Sequence, residues 1–187
     1  MLKCYLLWAI RTRFSAFSKI FRVEVFSSVR GELQKEWPVR AVIQRVKGAR
    51  VETGGVIKGQ IHGGLLIFLG VGKKDTEKDC EYLANKIVHL RVFADSRDLM
   101  NLSLLDTRGA ALVVSQFTLL GDCRKGRRPS FTTAAGSERA EYLYEYFISL
   151  LKKMDVPVAT GAFQQMMDVH IINDGPVTMI VDSEKRF

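Results

Sequence analysis

Residues 65–71, Leu-Leu-Ile-Phe-Leu-Gly-Val, constrain this chain more than any other stretch, because the run is apolar throughout and bounded by glycines. A run without polar alternation suits a strand covered on both faces. Such a strand needs a layer on each side, and the following segment supplies one. Cys80, Leu83, Ala84, Ile87 and Val88 recur at helical spacing, an apolar stripe behind a cap at Asp75 or Thr76.

A second helix is predicted over residues 137–154, with Ala140, Leu143, Tyr144, Phe147 and Leu151 inward and Pro157 closing the region. Residues 40–46 alternate, Ala41 and Ile43 on one face and Val42 and Gln44 on the other. They lead through Thr53-Gly54-Gly55 into residues 56–61, a β-hairpin. Further strands are expected at 91–94 and 111–116, and two more, 166–172 and 177–182, around an Asn-Asp-Gly-Pro turn. Mixed strands and two helices make an α/β body, and 187 residues suit one domain with a sizeable core. There is no internal repeat.

The formal charge is +8, but seven basic and three acidic residues lie in residues 1–38, leaving twenty-one against seventeen, or +4, for the rest. The densest basic cluster is Arg124-Lys125-Gly126-Arg127-Arg128, which reads either as a solvated loop or as a phosphate-neutralising surface. Cys4, Cys80 and Cys123 are odd in number and widely spaced, which argues against a disulfide framework and fits a reducing cytoplasm. His62, His89 and His170 lack ligand spacing, so no metal site is expected. Gly70-Val71-Gly72-Lys73-Lys74 fails as a phosphate loop: the pattern needs glycine where Ile67 stands and Ser or Thr where Lys74 stands. Asn101-Leu102-Ser103 fits a glycosylation pattern that has no meaning in a cytoplasmic chain.

Chemistry concentrates in two distant segments, Ser115-Gln116-Phe117-Thr118-Leu119 and Asn173-Asp174-Gly175-Pro176-Val177-Thr178. In each, an apolar run ends in residues that offer backbone N–H and C=O groups rather than charges. Ser115 is not in a G-x-S-x-G elbow, and Thr118 lacks the free terminal amine that activates a threonine nucleophile. Electrostatic catalysis remains: backbone N–H groups around Gln116, Phe117 and Thr118 stabilise a developing oxyanion. Asn-Asp-Gly-Pro reads either as a hairpin turn or as a wall of main chain that a ligand can approach closely, since Gly175 has no Cβ and an X-Pro bond can be cis.

At this order and separation the two segments resemble the signature motifs of the D-aminoacyl-tRNA deacylases. The resemblance extends over nearly all of residues 39–187, through the strand at 40–46, Lys125-Gly126-x-Arg128-Pro129-x-Phe131, Thr160-Gly161-Ala162-Phe163 and Met167. It implies a mixed β-sheet in a barrel-like roll with two main helices packed on it, assembled as a two-fold homodimer. It further implies a cis Gly175-Pro176 bond reaching into the partner's site, braced by Arg45. Gln116, Phe117 and Thr118 would frame the pocket, with Ser115, Phe131 and Asn173 as further substrate-binding positions. The substrate would be tRNA carrying a D-amino acid or glycine, contacted by Arg124, Lys125, Arg127 and Arg128. Its 2′-hydroxyl would assist hydrolysis, with no cofactor, metal, covalent intermediate or membrane. Gln164 and Gln165 stand where relatives often carry smaller residues, which bears on substrate preference.

Residues 1–38 read differently from the rest. A seven-residue apolar run, 4–10, precedes Arg11, Arg13, Lys19 and Arg22 with no acid before Glu24, too short to span a bilayer and partly like a transit peptide. Members of the resembled family commonly begin at a strand like 40–46. Val39 is compatible with a GTG start codon, and Lys35-Glu36 with an upstream ribosome-binding sequence. Residues 1–38 are therefore expected to be a mistranslated leader ahead of a deacylase domain at 39–187.

Overall fold

The computed structural model describes residues 38–186; the expectation for residues 1–38 lies almost wholly outside them. The elements, in order, are β1 (Arg40–Thr53), β2 (Val56–Ile61), β3 (Gly64–Gly70), α1 (Glu77–Val88), β4 (Phe93–Ala94), β5 (Met100–Leu102), β6 (Ala110–Ser115), a 3-10 turn (Phe117–Leu120), α2 (Ser137–Lys153), β7 (Val158–Thr160) and β8 (Asp168–Asp182).

The apolar run is β3, flanked by antiparallel β1 and parallel β6. Its side chains divide between two cores. Leu65, Ile67 and Leu69 join the core beneath the helices with Leu83, Ile87, Leu143 and Phe147. Leu66 enters a second core with Val46, Val51, Leu112 and Val114. Both faces are thus covered, and each fully buried Leu or Ile contributes roughly 1.5–3 kcal/mol. The sheet runs β2-β1-β3-β6-β7, with β8 pairing β1 as well. Its two ends nearly meet. A Cβ on Gly59 of β2 would stand 2.3 Å from the Thr160 carbonyl oxygen of β7, so glycine there lets the backbones approach and the sheet roll up.

Both helices sit where the periodicity placed them. At the start of α1 the Thr76 N–H donates to the Asp79 carboxylate at 2.9 Å and its hydroxyl to the same oxygen at 2.8 Å. Cys80 Sγ lies 3.6 Å from the Leu143 carbonyl, tying α1 to α2, and burial pushes its thiol up to about 12. Tyr144 donates its hydroxyl to the Val113 carbonyl at 2.8 Å, tying α2 to β6.

Three expectations about elements are corrected, and one strand, β7, is added. The strand at 91–94 shrinks to β4, which pairs only with β5 in a separate two-stranded sheet. The Asp95 carboxylate organises that hairpin by accepting the Arg97 and Leu99 N–H groups and the Asn101 amide. The strand at 111–116 stops at Ser115, and Phe117–Leu120 turns as a 3-10 helix. Residues 166–172 and 177–182 belong to one strand, β8, rather than two around a turn. β7, which has no distinctive pattern of its own, pairs parallel with β6.

Asp75, only 4% exposed, holds the loop between β3 and α1 by accepting the Gly72 N–H. Burial raises its carboxyl to about 6, against the lowering effect of the Gly72 and Val39 N–H groups. A folded-state value above the unfolded one favours the fold below about pH 4, and that advantage is lost as pH rises through about 6. The melting temperature of the native chain minus that of Asp75→Asn is therefore expected to fall between pH 4 and 7. A pH-independent difference in parallel thermal melts would contradict this.

Candidate active site

β6 delivers Val114 and Ser115 to the edge of a cavity of about 750 Å³, and the 3-10 turn continues its wall with Gln116, Phe117 and Thr118. The start of α2 contributes Ser137 and Ala140, and the segment before β8 contributes Phe163, Gln164, Gln165, Met166 and Met167. The lining is mostly apolar with a few amides and hydroxyls, and no His or carboxylate borders it.

The backbone of the turn is unevenly satisfied. The Gln116 N–H donates to the Leu69 carbonyl at 2.8 Å and is thereby committed to the sheet. The Leu119 N–H closes onto the Gln116 carbonyl at 3.3 Å and the Gly121 N–H onto that of Thr118 at 3.0 Å. The Phe117 and Thr118 N–H groups open the turn, where helical geometry supplies no acceptor. Two adjacent donors therefore remain beside the cavity, rather than the three that the sequence pointed to. The Thr118 hydroxyl accepts a close hydrogen bond from the Gln116 amide. Phe131 does not line the cavity; its ring meets that of Phe117, which does, edge-on with centroids 5.0 Å apart.

Gly175-Pro176 forms a second group, outside the lining of this chain's cavity. The peptide bond is cis. In the pairing of β1 with β8, Gln44 faces Thr178 and Val46 faces Asn173, so residues 174–177 bulge opposite Arg45 alone. Arg45 fills the bend. Its Nε lies 3.0 Å from Asp174 Oδ2, and its Nη1 donates to the Val92 carbonyl. Gly175 has φ +123°, and a Cβ there would stand 2.9 Å from a Val177 methyl and 3.1 Å from the Arg45 guanidinium. Asn173 donates to the Thr178 hydroxyl at 3.4 Å, which Gln44 also reaches at 3.3 Å. Gly175 and Pro176 are both exposed.

The basic cluster occupies a loop closed by two backbone hydrogen bonds between Asp122 and Ser130. Arg124 pairs with Asp122 at 2.7 Å and holds that carboxyl well below its usual range, while Lys125, Arg127 and Arg128 stand exposed. His62, His89 and His170 lie away from the cavity lining, and Cys80 and Cys123 are free thiols. Among the described residues no group of three or more His, Cys, Asp or Glu is placed to hold a metal, and no helix is long and apolar enough to cross a membrane. Sequence reasoning missed that the start of α2 lines the cavity: Ala140 reads as a core position on that helix, and its second role follows only from the tertiary approach.

The family described as D-Tyr-tRNA(Tyr) deacylase matches residues 42–182. A D-aminoacyl-tRNA deacylase of Thermosipho melanesiensis is 55% identical over 150 residues, 80% of this chain and 100% of the relative. One from Halothermothrix orenii is 56% identical over 149 residues, with the same coverage. Among solved structures, the c-Myc DNA Unwinding Element Binding Protein aligns with TM-score 0.73 and 39% identity over 76% of this chain and 97% of its own. A probable eukaryotic D-amino acid tRNA deacylase shares the fold at TM-score 0.66 and 17% identity, over 77% of this chain and 98% of its own. With identity above half across the whole length of such relatives, and the rolled sheet and its two helices in common with the solved structures, the chain belongs to the D-aminoacyl-tRNA deacylase family.

Proposed function

We propose that the chain hydrolyses the ester of D-aminoacyl-tRNA, and of glycine mischarged on tRNA-Ala, releasing free amino acid and tRNA in the cytoplasm. The observation that carries this reading is the pair of open N–H groups, Phe117 and Thr118, on the cavity wall. Water attacks the ester carbonyl carbon, its oxygen gains charge beside the two donors, and the bond to the ribose oxygen breaks as that oxygen takes up a proton. The neighbouring 2′-hydroxyl assists the attack. An aminoacyl ester is already activated, so donors aimed at the developing charge supply much of what the reaction needs.

Handedness is selected by main chain from a second protomer. In a two-fold dimer the Gly175-Pro176 bulge of one subunit enters the cavity of the other. Its carbonyls accept from the α-ammonium and leave no room on the side an L side chain would occupy. Hydrogen and D side chains are accommodated, so rejection rests on a clash. Two features support the assignment: the bulge is exposed and absent from its own chain's cavity lining, and Ile171, Ile172 and Ile180 on the same strand are exposed as well. Lys125, Arg127 and Arg128 meet tRNA phosphates, whereas Arg124 is engaged with Asp122.

Incubation with D-Tyr-tRNA, L-Tyr-tRNA and Gly-tRNA-Ala tests the proposal. Selective loss of the D and glycyl esters is expected. Equal hydrolysis of both Tyr enantiomers would point to a general esterase, and binding without turnover to a silent nucleic-acid-binding module.

A further inference from the structure

The 3-10 turn has a second end, and its carbonyls are held one by one. That of Thr118 accepts the Gly121 N–H at 3.0 Å, and that of Leu120 the Thr133 hydroxyl at 3.2 Å. The carbonyl of Leu119 accepts from Arg40 Nη1 at 2.9 Å, a contact between residues 79 positions apart. Arg40 is the first residue of β1, half-buried, and it faces Asp182 across the β1–β8 pairing. Asp182 is only 3% exposed. Burial lowers the guanidinium's proton affinity, the Asp182 carboxylate raises it, and Arg186 lowers it. A charged group is thus carried into the interior beside a counter-charge and aimed at one carbonyl of the turn that frames the cavity.

We propose that Arg40 is a positioning residue for ester hydrolysis. By gripping the Leu119 carbonyl it fixes the tilt of the turn, and with it the direction in which the Phe117 and Thr118 N–H groups point. A cation at the carbonyl end of a helical turn also complements its dipole, whose positive end lies at those same two N–H groups. Arg40 touches no substrate and does not line the cavity. The inference rests on the reading that Phe117 and Thr118 receive the oxyanion. Since misplacement by about 1 Å can cost on the order of 10²-fold in rate, a loosened turn has a large kinetic effect without loss of the fold.

The test uses the full chain with Arg40→Met and Arg40→Lys, measuring kcat and KM on D-Tyr-tRNA together with the melting temperature. Leu83→Ala, in the core beneath the helices and away from the cavity, serves as the destabilised control. Arg40→Met is expected to lower kcat by roughly 10–100-fold with KM nearly unchanged, beyond any loss in Leu83→Ala, and Arg40→Lys to recover part of it. A version in which the Thr118 amide is replaced by an ester, removing that N–H alone, completes a double cycle. Arg40→Met should cost less there than in the native chain, because one of the two donors that it aims is already gone. Undiminished kcat in Arg40→Met, a loss no greater than the control's, or full additivity in the cycle would overturn the assignment. If instead the Thr118 ester is as fast as the native chain, the oxyanion reading itself fails, whatever Arg40 does.

Discussion

Replacing the Thr118 peptide nitrogen by an ester oxygen is expected to lower kcat on D-Tyr-tRNA by about 10²–10³-fold, the usual effect of removing one oxyanion donor. The substitution keeps the side chain and the course of the backbone. It removes no intrahelical hydrogen bond, because the Thr118 N–H is at the open start of the turn. KM should move little, since the donor meets charge that grows only on the way to the transition state. The paired variant is Thr118→Ala. Its hydroxyl serves as acceptor for the Gln116 amide, so its loss frees one neutral hydrogen bond, and activity should fall by less than about tenfold. The two kinetic measurements together separate main chain from side chain. A native kcat in the ester form would remove the donor from the mechanism, and a dead, folded Thr118→Ala would make the hydroxyl a nucleophile.

This contrast is what the proposed site, built on backbone, would give. Side chains at such a site are chosen for how they bend and hold the chain, so their residue types carry little chemical signature. Ser115, Gln116 and Thr118 invite comparison with hydrolase nucleophiles, yet no His lines their cavity. Gln116 contributes placement: it ties its N–H to β3 and its amide to Thr118, leaving the Phe117 and Thr118 N–H groups open.

The buried elements were readable because local pattern and tertiary demand agree. Leu65, Ile67 and Leu69 face one core and Leu66 the other, so the missing alternation of residues 65–71 reports a two-sided environment directly. Both helices were found for the same reason, from stripes at helical spacing. The turn at Phe117–Leu120 was hidden, since Phe and Thr carry strand propensity and the last two carbonyls of the turn, of Leu119 and Leu120, are held by distant residues, Arg40 and Thr133. Asn173 to Pro176 read locally as a turn between two strands. Pairing with β1 on both sides of the bulge keeps it one strand, and the residue filling the bend, Arg45, lies far away in sequence. The two site motifs were legible as a pair, but that one lines this chain's cavity and the other stands outside it was expected from the family resemblance alone and not from local pattern.

That separation makes Gly175→Ala the second decisive variant. At φ +123° alanine is strained, at a cost of order 1–3 kcal/mol, and its methyl would be pressed between Val177 and the Arg45 guanidinium. Thermal melts should show a fold that survives this. The bulge, however, must shift, and if it forms the proposed wall that wall loses its register, so D-Tyr-tRNA hydrolysis should drop on the order of 10²-fold. Mixing then decides whose cavity the bulge serves. A heterodimer of Gly175→Ala with the Thr118 ester form contains one cavity with an intact turn, in the Gly175→Ala subunit. If the bulge acts across the interface, that cavity receives the unaltered Gly-Pro of its partner. Random reassortment of equal amounts makes half the dimers mixed, with one working site in two, so activity should return to about a quarter of the native level. A bulge acting on its own chain gives no recovery at all, because each subunit of the mixed dimer then carries its own defect.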